Sequence, residues 1–142
     1  MKVMNKDSSF DEYFSACILG KREGVESNLM FELFDLSRLA LQTDDTDRVR
    51  ACKDEIGGIL RGFVNDRKNN SCNSNELYSF LDASVKLLQG KLRSFACLVF
   101  SESQVNYYMV KVSNKIFNFF YSPMCEWVRN NYGGEEKKLI VI

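Results

Sequence analysis

A single proline in 142 residues, Pro123, restricts the fold more than any other feature of this chain. Sandwiches and barrels turn the chain many times and place proline and glycine at the turns. With eight glycines besides, the sequence has too few such residues for that architecture. Proline ends helices because it lacks an N–H and clashes with the carbonyl four residues back, so its scarcity leaves helices uninterrupted. An all-α protein is expected. The length suits one domain spanning 1–142, with enough surface to bury one core without a disulfide or metal. Hydrophobic residues at 45% and charged residues at 27% make the composition globular, not disordered.

Charge and inventory exclude several functions. Nineteen basic and nineteen acidic residues cancel, so no nucleic-acid partner and no anionic membrane surface is expected. Histidine is absent, which removes Ser-His and Cys-His catalysis and His-ligated zinc. Cys17, Cys52, Cys72, Cys97 and Cys125 are scattered, with no Cys-x-x-Cys pair. They read as reduced thiols, mostly small core residues, in a reducing compartment. No cofactor or metal is expected. Asp44-Asp45 with Asp47, and Glu135-Glu136, read as caps or solvated loops and not as paired catalytic carboxylates, so an enzyme is not expected. Met1 to Phe14 lacks the apolar run of a signal peptide. The closing Leu139-Ile140-Val141-Ile142 is far short of the about twenty residues that cross a bilayer. A cytoplasmic chain with no transmembrane anchor is expected.

Apolar spacing divides the sequence into helical segments. Ser8 or Ser9 is a candidate cap for a first helix carrying Phe10, Tyr13, Phe14, Cys17 and Ile18, ended by Gly20 to Gly24. This stretch, 1–24, reads as an N-terminal helical extension or as part of the first helix of the domain. Ser27 is a candidate cap for a second helix running to Gln42. A third starts at Asp47 and repeats Val49, Cys52, Ile56, Ile59, Leu60 and Phe63 at steps of three and four. Its Gly57 and Gly58 suggest a bend or the close approach of another helix. A polar loop from Asn65 to Asn75 precedes an amphipathic helix, Glu76 to Leu88, with Gly90 as its C-cap. The next segment, Leu92 to Phe100, is apolar on nearly all sides and reads as a central helix. An aromatic-rich helix from Val105 to Tyr121 follows. Pro123 then starts or interrupts a short helix around Glu126 to Asn130, which stops at Gly133-Gly134.

Three patches, in order, resemble the homology motifs of the Bcl-2 family of apoptosis regulators. Trp127-Val128-Arg129-Asn130-Asn131-Tyr132-Gly133-Gly134 is similar to the family's second motif, a Trp-Ile-Gln-x-x-Gly-Gly segment, with one extra residue. Ser79-Phe80 through Gly90, then Leu92-Arg93-Ser94-Phe95-Ala96 and Phe100, is similar to the first motif, with a shorter corner and without the family's Asn-Trp-Gly. Val49 to Leu60 aligns without gaps to the BH-3 segment of pro-survival members, but carries Lys53 for the main leucine and Gly58 for the aspartate. The resemblance is strongest over 29–134. The compact loops and the missing C-terminal anchor resemble virus-encoded members more than cellular ones.

The resemblance implies a Bcl-2-like bundle of seven or eight helices around a central apolar helix. It implies an inhibitor of apoptosis that sequesters pro-apoptotic BH-3 helices, Bim-like proteins or Bax/Bak-type effectors, in a hydrophobic surface groove. It would act in the host cytoplasm and reach mitochondria through its partners. Carried over residue by residue, the groove takes Leu60 and Val64 from the third helix, and Val85, Leu88 and Gly90 from the fourth and its corner. Phe95 and Ala96 are its floor. Arg93, or Phe95 if the gap is placed elsewhere, falls on the family's groove arginine, which pairs the peptide's aspartate. Trp127, Gly133 and Gly134 are motif residues of structural type. The alternative implied is a dimeric Bcl-2-like inhibitor of innate immune signalling without a working groove, with Phe117, Phe119, Phe120 and Tyr121 as core or as a homodimer surface.

Overall fold

The computed structural model describes residues 6–20, 28–66 and 73–132. Every regular element among them is helical: α1 (Lys6–Leu19), α2 (Leu29–Leu41), α3 (Thr46–Asn65), α4 (Ser74–Val99), α5 (Glu102–Ile116) and α6 (Ser122–Tyr132). A five-residue π turn, Phe117–Tyr121, joins α5 to α6. The expected all-α bundle is present. The described residues hold six α-helices, against the seven or eight expected.

Local chemistry sets the helix ends. α1 stops where Gly20 takes a φ of 66°, a left-handed conformation in which glycine is unstrained. The candidate caps Ser8 and Ser9 lie within the span of α1, Lys6–Leu19. The side chain of Asn28 accepts the Phe31 N–H at 3.0 Å and caps α2, while the expected cap, Ser27, lies outside the described residues. Asp45 accepts the N–H groups of Asp47 and Arg48, both at 3.1 Å, and starts α3. Asn73 and Glu76 form a reciprocal capping box on α4, at 2.8 and 3.1 Å. A side chain at Gly58 would meet open space, so no other helix approaches there; at buried Gly57 the nearest atoms to an added methyl group are those of the Arg61 guanidinium, on the same helix.

Gly90 brings the main correction. It does not cap a helix or make a corner: α4 passes through it and runs unbroken for 26 residues. One glycine costs a helix about 1 kcal/mol, whereas the buried stripe Leu77, Leu81, Leu88, Leu92 and Phe95 continues across it in phase. Tertiary burial of that stripe outweighs the local penalty. The segment from Leu92 is likewise not a central helix. Arg93, Ser94 and Cys97 are exposed and Leu98 is 85% exposed, so only one face meets the core. Gly90 itself is solvent-facing, with nothing within 4 Å of an added methyl group. Gly90→Ala is therefore expected to stabilise the protein by roughly 0.5–1 kcal/mol. Urea denaturation measures this, and a destabilised variant would restore the corner.

Pro123 explains the π turn. In a continuous α-helix its ring would press on the Phe119 carbonyl. Instead the Ser122 N–H reaches back to the Phe117 carbonyl, the i to i−5 bond that widens the helix just before the proline. Pro123 then sits in the first turn of α6, where no N–H is needed.

α5 lies between two antiparallel neighbours. On one side, Gln89 of α4 donates to Ser113 at 3.0 Å, and Tyr121 donates to Asp82 at 2.7 Å. On the other, Lys115 pairs with Glu32 of α2 at 2.6 Å, and Gln104 donates to the Ala40 carbonyl at 3.4 Å. α3 runs antiparallel to α4: the Arg48 guanidinium, near the start of α3, donates to the Val99 carbonyl at the end of α4, at 3.1 Å. α1 closes the core. Phe14 is fully buried, with its ring 5.4 Å from those of Phe63 and Phe120 and 5.5 Å from that of Phe80. One polar pin crosses the apolar interior. The Ser37 hydroxyl donates to the Leu33 carbonyl at 2.9 Å and meets the Tyr108 hydroxyl at 2.8 Å, so two buried polar groups satisfy each other.

Candidate functional site

The structure divides the expected groove residues into two groups. Leu60 on α3 and Leu88, Phe95 and Ala96 on α4 belong to the closed core, with Leu60, Leu88 and Ala96 fully buried. Val64 and Val85 are half-buried and pack against the same core. Gly90 and Arg93 are exposed on the side of α4 that faces α5. The eight residues therefore do not line one open groove in this conformation. In the stretch from Val49 to Leu60, Ile56, Gly57 and Leu60 are buried and Val49 is half-buried. Lys53 turns outward, 5.4 Å above the Phe34 ring. The Trp127 ring on α6 packs at 5.7 Å on Phe10 and 6.0 Å on Tyr13 of α1, and at 6.2 Å on Tyr132. Gly133 and Gly134 lie outside the described residues.

Gly90 and Arg93 line a shallow cavity of about 430 Å³ between α4 and α5, with Gln89, Asn106, Met109, Val110 and Ser113. The missing side chain at Gly90 opens it, and the Gln89–Ser113 bond ties its walls. On the far side of α5, a second cavity of about 300 Å³ lies against α2, lined by Leu36, Leu39, Gln104 and Tyr107 among others. Between the two, α5 and the first residue beyond it show an outward stripe, of which sequence reading had only Phe117. Tyr107, Val110 and Phe117 are 62%, 64% and 55% exposed. The signal was available: these residues fall on one helix face, opposite the buried Val105, Tyr108, Val112 and Ile116. A larger cavity of about 680 Å³ between α2 and α3 mixes Arg38, Arg50 and Lys53 with Asp44 and Asp54, so it offers no single charge to a ligand.

Three of the thiols have little nucleophilic character. Burial pushes the Cys17 thiol up to about 11, and burial also raises Cys52 and Cys125, so all three are neutral near pH 7. Burial likewise holds the Tyr108 hydroxyl at about 12, which keeps it a donor to Ser37 at ordinary pH. Among the described residues no group of acidic and cysteine side chains is placed to hold a metal ion. No described helix is long and apolar enough to cross a membrane. In comparisons with family models, curated proteins and solved structures, nothing matches this chain.

Proposed function

We propose that the protein binds amphipathic helices and, as its motifs imply, restrains apoptosis by sequestering pro-apoptotic BH-3 helices in the host cytoplasm. Three motif patches in the family's order support this reading, together with a wholly helical described fold. The observation that carries it is Arg93. It stands exposed beside Gly90 at a cavity walled by Met109 and Val110, with no carboxylate bonded to it among the described residues. A cation next to an apolar cavity suits a helix that offers apolar anchors and one acidic group. No catalysis is required.

Calorimetric titration with a Bim-type BH-3 peptide tests the proposal, with submicromolar binding expected. Arg93→Ala is expected to weaken binding about fivefold to tenfold, the effect of losing a partly solvated ion pair. Changing the peptide's aspartate to alanine should cost the same, and combining the two changes should cost no more. Folded protein that binds none of a BH-3 panel would end the proposal. The second reading, a dimeric inhibitor of innate immune signalling, draws on Phe117: of the aromatic run, Phe120 is buried while Phe117 faces out. A sedimentation coefficient that rises with concentration, without peptide binding, would favour it.

A further inference from the structure

We infer that the outer face of α5, edged by α4 and α2, is the seat of an acidic amphipathic helix of about three turns. This deepens the proposed function, on which it rests, by giving the bound helix a place, a length and a charge. From Tyr107 to Phe117 the stripe runs ten residues, about 15 Å at 1.5 Å per residue, which is close to three helical turns. Tyr107, Val110 and Phe117 offer it apolar contact, and the cavities beside Val110 and Tyr107 leave room for anchoring side chains. Helices laid in such grooves bury anchors at steps of three and four, a spacing this stripe can meet.

Charge selects the occupant. Lys86, Gly90 and Arg93 share one side of α4, four and then three residues apart, and both cations are exposed. Across the stripe, Lys111 is exposed with its ammonium 5.3 Å from the Tyr107 ring centre. None of these three cations pairs with a described carboxylate. The carboxylates of α2, α4 and α5 are engaged or distant from the centre. Glu32 holds Lys115, Asp35 holds Arg38, and Asp82 accepts from Tyr121. Glu76 and Glu102 lie in the first turns of their helices. The face thus carries three exposed apolar side chains, with exposed Asn114 between Val110 and Phe117, edged by unpaired cations. A second copy of the chain is a poor fit, because a two-fold pair through this face would set those cations against their own copies. A helix with acidic flanks meets both the stripe and its edges.

The test uses the full chain and two probes, a Bim-type BH-3 peptide and a designed Leu/Glu amphipathic helix of similar length. Val110→Glu replaces an exposed side chain and adds a negative charge, so it is expected to weaken either probe by about tenfold or more. Leu98→Glu, exposed on the opposite flank of α4, is expected to leave binding unchanged. Amide shifts in the wild-type protein on titration should concentrate on residues 103–118, a readout independent of any variant. If the BH-3 peptide binds but ignores Val110→Glu, this seat is wrong while the proposed function stands. If only the designed helix binds, and Val110→Glu weakens it, the seat stands and the BH-3 reading falls. Binding of neither probe overturns both. Self-association abolished by Val110→Glu would put a second copy on the face and overturn the inference.

Discussion

Phe14→Ala is expected to destabilise the protein by about 3–5 kcal/mol, the range for removing a buried phenylalanine and leaving a cavity. That is a large share of the roughly 5–15 kcal/mol that holds a domain together, and it corresponds to a fall of roughly 10–20 °C in Tm. The size follows from the position of the ring. Phe14 is fully buried among Phe10, Phe63, Phe80 and Phe120, which come from α1, α3, α4 and the π turn. No single neighbour can move to fill the gap, because each is held by another element. Tyr107→Ala, on the exposed face of α5, should stay within about 0.5 kcal/mol in the same thermal and urea measurements. A loss below about 1 kcal/mol for Phe14→Ala would mean that α1 is an appendage and not part of the core.

Leu60→Ala and Leu88→Ala, made separately, are each expected to cost about 2–5 kcal/mol. Both side chains have no exposed surface, and they lie on the inner stripes of α3 and α4. As walls of an open groove they would be partly solvated, and their truncation would cost much less while weakening peptide binding directly. The ratio of lost stability to lost affinity therefore separates the two roles. Arg93→Ala is the reference for the opposite case, an exposed side chain whose loss should leave the urea midpoint unchanged. If the leucine variants keep wild-type stability, the groove is open in solution and the closed arrangement of α3 and α4 is wrong.

The helical class and most of the core could be read from the sequence because both follow from spacing. The scarcity of proline allowed long helices, and on the third helix steps of three and four picked out Cys52, Ile56, Leu60 and Phe63, all of which lie inside. What spacing does not reveal is what covers a stripe. A groove wall and a core wall share the same period, so Leu60, Leu88 and Ala96 satisfied the motif and the interior equally well. At Gly90 the local signal was a weak one, and a buried stripe passing through Leu88 and Leu92 overrode it. The aromatic run before Pro123 misled in another way. Read as a block it was core or surface, but the π turn divides it, with Phe120 inside and Phe117 outside. Tyr107 and Val110 on α5, with Phe117 just beyond it, share one face by spacing alone, opposite the buried Val105, Tyr108 and Val112. The charges at its edges, supplied by α4 as well as α5, depended on which helices become neighbours, and only the tertiary fold decides that.

The meeting of Phe10 and Phe14 with Trp127 and Phe120 also bears on how the chain is made. α1 is made well before these two partners, although Phe63 and Phe80 reach it sooner. At about 5–20 residues per second, Phe14 waits on the order of 5–20 s before Phe120 has been added. During that interval Phe63 and Phe80 give α1 only part of its native cover, and the rings that Phe120 and Trp127 later close over stay open to chaperones.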